Sequence, residues 1–189
     1  MSLTLTVRAA TLTDLSAITA IYEDEVLNGT ATYELTPPDE AEMTKRFEGL
    51  VAAGYPYLVA VDEGGAILGY AYAGPFRTRP AYNWFVEDSI YLAREARGQG
   101  VGSQLLSELL TQSQAKGFRQ MLAVIGGAEN AGSIRLHAKA GFEMIGTMKA
   151  TGLKFGRWVD TVLMQRPLGD GATTIPNPDV FPGPIGRQA

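Results

Sequence analysis

The stretch that decides the fold is Val86-Glu87-Asp88-Ser89-Ile90-Tyr91-Leu92, followed after Ala93-Arg94-Glu95-Ala96 by Arg97-Gly98-Gln99-Gly100-Val101-Gly102. Its first seven residues read as a strand. Beyond the glycines an amphipathic pattern, Val101, Leu105, Leu106, Leu109 and Leu110, reads as a helix that stops at Gly117. Glycines at 98, 100 and 102 let the backbone turn sharply and leave amide hydrogens unshielded. They fall where a helix begins, and a helix N-terminus offers free N–H groups and about half a positive charge to an anion. Strand, glycine turn and helix together predict a cradle for a phosphate-bearing ligand.

Elimination narrows that ligand. A nucleoside-triphosphate loop needs Gly-x-x-x-x-Gly-Lys-Ser/Thr, and no lysine follows these glycines. A dinucleotide fingerprint needs Gly-x-Gly-x-x-Gly and an acid roughly 20 positions on. Here the glycine spacing differs, and the region near Gln120 offers no acid. What remains is Arg97-x-x-Gly100-x-Gly102 behind a strand, a pattern that by itself is also compatible with a tight turn.

Composition sets the outer bounds. A chain of 189 residues, 46% hydrophobic, reads as one domain over 1–166 with a genuine core. No apolar run approaches the ~20 residues needed to cross a bilayer, and no charged-then-apolar signal segment opens the chain, so a cytoplasmic location is expected. The absence of cysteine excludes disulfides, thiolate metal sites and cysteine nucleophiles. A single histidine rules out multi-histidine metal centres, so no metal is expected. The net charge of −4, without any basic run, argues against a nucleic-acid partner.

In chain order, 3–8 alternates apolar and polar residues as a first strand. Thr11-Leu12-Thr13-Asp14 reads as a capping box opening a helix with Leu15, Ile18, Tyr22 and Val26 on one face. Thr36-Pro37-Pro38-Asp39 starts a second helix with a stripe of Met43, Phe47, Leu50 and Val51. Residues 57–61 and 66–74 flank Asp62-Glu63-Gly64-Gly65 as a hairpin. After the glycine loop and its helix, 121–125 is a short apolar strand, as expected where both faces are covered. Residues 130–140 form a short helix, and 142–150 and 158–166 two more strands joined through 152–156. From Pro167 the residues turn to Pro, Gly, Asp and Asn without period, and 167–189 is expected to be an extended or disordered tail. The result is an α/β fold, a mixed central sheet with helices on both faces.

A second motif is Asn130-Ala-Gly-Ser133-Ile-Arg-Leu-His137-Ala-Lys-Ala-Gly141-Phe142, with Ser133 and His137 four residues apart on one helical face. Together the two motifs resemble the acyl-coenzyme A pyrophosphate loop and the following helix of the GCN5-related N-acetyltransferase (GNAT) superfamily. Further stretches, among them 70–77, 81–89, 123–126 and 154–158, resemble the phosphinothricin and methionine sulfoximine N-acetyltransferases within it. The resemblance spans residues 5–166, with departures at Phe76, Thr78, Pro80 and Asp88.

The resemblance implies a GNAT acyl-CoA N-acyltransferase fold and transfer of an acetyl group from acetyl-CoA to the amine of a small amino acid analogue. Read without it, the pair Glu87-Asp88 is either an acid–base site or a solvated strand surface. With it, Glu87 is the general base and Asp88 and Ser89 neighbour the acceptor. It implies that backbone at Ile90, Tyr91 and Leu92 holds the pantetheine arm and could stabilise the oxyanion. It further places Arg97, Gly98, Gln99, Gly100, Val101, Gly102 and Ser103 on the diphosphate, and Asn130 and Ser133 on the cofactor. His137 would orient Glu87 or the amine, or protonate the sulfur; alone, it reads equally as a helix histidine satisfied by a carbonyl. Arg77 and Arg79 would receive a carboxylate or phosphinate, and Tyr33 and Tyr82 would close the acceptor pocket. Relatives place Lys154, Arg157 and Trp158 near a two-fold contact, so a homodimer is expected by analogy. The rival readings are acetylation of another amine or a protein N-terminus, and a non-catalytic acyl-CoA sensor. Two arginines at the mouth argue against polycationic acceptors.

Overall fold

In a computed structural model that describes residues 4–177, the element order follows the sequence reading throughout: β1 (Leu5–Ala9), α1 (Leu15–Asn28), α2 (Glu40–Ala52), β2 (Tyr57–Asp62), β3 (Ile67–Pro75), β4 (Phe85–Leu92), α3 (Val101–Ala115), β5 (Gln120–Gly126), α4 (Ala131–Lys139), β6 (Glu143–Lys154) and β7 (Arg157–Pro167). The strands form one mixed sheet in the order β1-β2-β3-β4-β5-β7-β6. β4 and β5 run parallel, and the other neighbours are antiparallel.

The helices cover both faces because the strands alternate. Tyr57, Val59 and Tyr70 pack with Leu15, Ile18, Tyr22 and Val26 of α1 and with Met43 and Phe47 of α2. Their neighbours Leu58, Ala60 and Ala71, with Val86 and Met121, pack instead on Leu105, Leu106 and Leu109 of α3. Leu105 and Leu109 are fully buried, and truncating either to alanine would cost roughly 2–5 kcal/mol.

Local signals account for most boundaries. The amide of Thr11 donates to Asp14 Oδ2 at 2.8 Å, and the Arg8 guanidinium grips both oxygens of the same carboxylate. The box opens a single 3-10 turn, Leu12–Asp14, before α1 proper. For α2 the expected start at Thr36 moves to Asp39, whose Oδ1 accepts the Glu42 amide at 2.8 Å. Val51 is exposed rather than part of the buried stripe. At about 100° per residue it stands some 80° round the helix from Met43. β6 runs on to Lys154, through the stretch expected to be a connection, by taking register shifts at Met144/Gly146 and Met148/Gly152.

Of the expected tail, Leu168 is buried and the Arg119 guanidinium donates to Thr174 Oγ1 at 2.9 Å. The remainder, 178–189, lies outside the described residues. No helix among the described residues is long and apolar enough to cross a membrane.

What positions the site is a break in the sheet. β4 pairs with β5 only from Phe85↔Gln120 to Asp88↔Ala123. On its other side β4 stays in unbroken register with β3 as far as Leu92. Beyond Asp88 and Ala123, therefore, Ser89–Leu92 and Val124–Gly126 diverge, and a cleft opens through the layer.

Candidate active site

Two connected cavities occupy this cleft. The smaller, about 250 Å³, lies where the strands part and is lined by Glu87, Asp88, Ser89, Tyr72, Tyr33 and His137 among others. The larger, about 750 Å³, runs from there to the start of α3. Ala31, Ile90, Tyr91, Asn130 and Ser133 line both.

The larger cavity is built around the glycine loop. Gly98 and Gly100 have φ of +74° and +85°, which side chains other than glycine rarely adopt. Gly102 has another reason: a Cβ there would meet Leu136 and Leu92 side chains at 3.3 Å. The amides of Ser103 and Gln104 close the first turn of α3 on the Gly100 carbonyl, leaving those of Val101 and Gly102 outside the helical ladder. Leu92, Arg97, Gly98, Gly100, Gly102 and Ser103 all line the cavity, and Arg135 and Lys139 of α4 add positive charge. Such a surface suits a bulky, multiply charged phosphate ester. Gln99 and Val101 are not among its lining residues: the Gln99 amide donates to the Glu95 carbonyl, and Val101 is in the core.

Arg97 is engaged within the chain. It donates to Glu25 Oε2 at 3.1 Å and to the Leu92 carbonyl at 3.4 Å. Glu25, only 9% exposed, also accepts the Ala31 amide on Oε1 at 2.9 Å. One carboxylate thus joins the glycine loop to the α1–α2 connection. Nothing in the sequence singled out Glu25, because its partners are distant along the chain.

At the smaller cavity, strand alternation sends neighbouring carboxylates to opposite faces. Glu87 is on the α1–α2 side with Ser89, and Asp88 is on the α3–α4 side with Val86. Glu87 is half-buried, and burial, reinforced by the charge of Asp88, pushes its carboxyl up to about 7. Tyr72, cross-strand from Ser89, joins the same lining. The sequence showed it only as one residue of a hairpin strand.

Asn130 caps α4, its Oδ1 accepting the Ser133 amide at 3.2 Å. His137, one turn after Ser133, is buried edge-on to Phe142. Its Nδ1 lies 2.8 Å from the Ser133 carbonyl, and its Nε2 lies 3.0 Å from Asp88 Oδ2. Burial pulls the imidazole pKa down, but the hydrogen bond and charge of Asp88, helped by the Ser133 carbonyl, outweigh it and raise the value.

Tyr33 is held with its hydroxyl against Thr161, Thr151 and the Asp160 carbonyl. Its ring occupies the space a side chain at Gly152 would need. Beside it the buried Lys154 ammonium donates to the Thr32 carbonyl at 2.9 Å, and burial lowers its pKa. Arg77, Arg79 and Tyr82 sit outside the lining of both cavities, on the connection that follows β3. The Arg77 guanidinium there stacks over Phe76, 5.0 Å from the ring centre. Among the described residues no group of three or more His, Asp or Glu side chains is placed to hold a metal.

The family model of the acetyltransferase (GNAT) domain matches residues 7–163. The chain belongs to the GNAT acetyltransferase family. This acetyltransferase is 50% identical over 171 residues to the phosphinothricin N-acetyltransferase of Alcaligenes faecalis, covering 90% of the chain and 86% of that protein. It is 43% identical over 159 residues to the L-methionine sulfoximine/L-methionine sulfone acetyltransferase of Pseudomonas paraeruginosa, covering 84% and 92%. Its structure resembles the crystal structure of a GNAT superfamily phosphinothricin acetyltransferase from Sinorhizobium meliloti in complex with AcCoA, with a TM-score of 0.92, 59% identity, and 96% and 97% of the two chains covered.

Proposed function

We propose that this acetyltransferase moves the acetyl group of acetyl-CoA onto the amino group of a small amino acid analogue of the phosphinothricin, methionine sulfoximine or methionine sulfone type. One observation carries the reading: Glu87, with a carboxyl of about 7, stands at the edge of the cleft between β4 and β5. An ammonium acceptor must lose a proton before its lone pair can attack. A carboxylate of ordinary pKa, about 4.3, is a weak base for that step, whereas one near neutrality is matched to it.

In the proposed reaction the diphosphate lies on the start of α3, the thioester enters the cleft past Ile90 and Tyr91, and the amine reaches it beside Glu87. Glu87 removes a proton, the nitrogen attacks the carbonyl carbon, and N–H groups of β4 freed by the split receive the growing oxyanion charge. Arg77 and Arg79 attract the acceptor's carboxylate or phosphinate; they follow the end of β3, which pairs with β4 at Gly74↔Glu87 and Pro75↔Val86, and this supports the role. Tyr33 and Tyr82 bound the acceptor space. The names of the relatives support this acceptor class.

We further infer a cytoplasmic homodimer joined through β6 and β7. Met144, Ile145, Met148, Leu153 and Trp158 on these strands are 43–65% exposed, an apolar band on the last strands of the sheet that a second copy would cover.

Thiol release from acetyl-CoA, measured against phosphinothricin, methionine sulfoximine, methionine sulfone and the ordinary amino acids, tests the function. Release should be steady and amine-dependent, with the analogues preferred. Release driven only by polyamines or peptide N-termini would overturn the acceptor assignment, and binding without turnover would favour a sensor.

A further inference from the structure

We propose that Asp88 is a second catalytic residue: its Oδ1 carries a proton from the nitrogen of the tetrahedral adduct to the departing sulfur, while His137 positions it by holding Oδ2. This rests on the N-acetyltransferase reading above.

Hydrogen-bond accounting at His137 comes first. The Ser133 carbonyl can only accept, so Nδ1, 2.8 Å away, carries a hydrogen and donates it. Nε2 faces Asp88 Oδ2 at 3.0 Å. If the ring is an imidazolium, Nε2–H donates to Oδ2; if it is neutral, Nε2 accepts from a protonated Oδ2. Neither state leaves a ring N–H for a thiolate. Both side chains are 2% exposed, and the ring packs edge-on to Phe142 with centroids 5.0 Å apart. Turning it toward the cleft would empty part of the core.

Asp88 Oδ1 stands in the opposite situation. It is buried without a partner, and Asp88 lines the cleft together with Glu87. An orphaned carboxylate oxygen at such a place is costly unless a donor reaches it during function.

The chemistry supplies that donor. Acetylating an ammonium releases two protons. Glu87 takes the first, and the nitrogen then forms its bond to the carbonyl carbon as the π pair moves to oxygen. In the resulting adduct nitrogen and sulfur share one carbon, so a single carboxylate oxygen can meet both. Oδ1 accepts the second proton from nitrogen, an oxyanion pair re-forms the C=O bond as the C–S bond breaks with its pair going to sulfur, and Oδ1–H passes the proton to that thiolate. Coenzyme A leaves as the thiol, Asp88 returns to its starting state, and Glu87 gives the first proton to water before the next turnover. Oδ1 holds the proton only in passing, and a weak base suffices because the thiolate, which binds a proton far more tightly than a carboxylate does, is its final acceptor. The titratable groups sharing the cavity with Asp88 are Glu87 and Tyr91 on β4, Tyr72 on β3, His137 on α4 and Tyr33 before α2. The lining residues of β5, Ala123 to Gly126, bring no charge.

Because the chain has one histidine, the ring ¹⁵N resonances of labelled protein report this pair without assignment. The wild-type ring should keep its second proton to higher pH than the Asp88→Asn ring, with the two midpoints about one unit or more apart, a tenfold loss of proton affinity in the variant. In turnover, Asp88→Asn should lower kcat about 10²–10³-fold while the KM for acetyl-CoA stays within about threefold. His137→Gln, whose amide can still donate to Oδ2, should keep at least about a tenth of kcat. A ring that titrates alike in wild type and Asp88→Asn would overturn the proposal, as would an Asp88→Asn kcat within about threefold of wild type, or a His137→Gln enzyme as impaired as Asp88→Asn. A wild type that releases no thiol with any amine would instead refute the acetyltransferase reading, and the resonance measurement would still judge the Asp88–His137 pair.

Discussion

Burial and the charge of Asp88 raise the Glu87 carboxyl, as the general-base role proposed for it requires. A carboxyl at about 7 is half protonated at neutrality, so kcat/KM should rise with pH along a limb centred near 7 and level off above it. Glu87→Gln should lower kcat by about 10²–10⁴-fold and abolish that limb, read from a pH–rate profile. The same shift acts on stability with a definite sign. The folded value lies above the unfolded one, 4.5, so ionising Glu87 weakens the fold progressively between pH 4.5 and 7 and fully above it. Glu87→Gln should therefore leave stability unchanged near pH 4 and raise it by roughly 1–2 kcal/mol at pH 8, in urea titrations at both values. The sequence offered Glu87 as a carboxylate before a glycine loop, but its proton affinity arises from burial and from Asp88. Tyr72 was illegible for a related reason: alternation marks it as a strand residue, and only its register against Ser89 brings it to the cleft.

The glycine loop and the connection between α1 and α2 differ in how far they can be read. Gly98-Gln-Gly100-Val-Gly102 is local, since turn and helix start lie within one short stretch. Gly100→Ala would force a side chain into φ of +85°, costing about 1 kcal/mol, and should weaken acetyl-CoA binding in calorimetry while sparing the acceptor KM. The α1–α2 connection is organised from afar. Arg97 and Glu25 meet across 72 residues, and a Cβ at Gly29 would fall 1.7 Å from Glu25 Oε1. Gly29→Ala should thus displace the carboxylate from both Arg97 and Ala31. Since this connection lines both cavities, the KM values of acetyl-CoA and acceptor should rise together, as separate saturation curves would show. An effect on one substrate alone would refute the link.

Taken as a whole, the sheet comprises an antiparallel block, β1 to β4, and a second block, β5 to β7, joined by four residue pairs between β4 and β5. The joint is short, so the cleft is permanent architecture rather than a local loop. The first block is anchored at its edge by Arg8 and Asp14. The hydrogen bond from Arg8 holds the Asp14 carboxyl at about 2. A depressed value stabilises the fold above the unfolded pKa, and that stability is lost as pH falls through 4 toward 2. Asp14→Asn should lower stability by roughly 1–2 kcal/mol at pH 7 and by much less at pH 2.5 in thermal melts. At the far edge, light scattering should give twice the chain mass, and Trp158→Lys should shift the protein toward monomer. A monomeric wild type would refute the proposed dimer.

The order of elements, the two helix-covered faces and the glycine turn before α3 were legible from the chain alone, because each depends on period, capping or glycine content within a short window. Tertiary structure decided the rest. It set where β4 and β5 part, that Glu87 and Asp88 border one cleft from opposite faces, and that His137 spends both ring nitrogens on Ser133 and Asp88. These depend on register and burial between segments far apart in the chain, and no local window contains both partners.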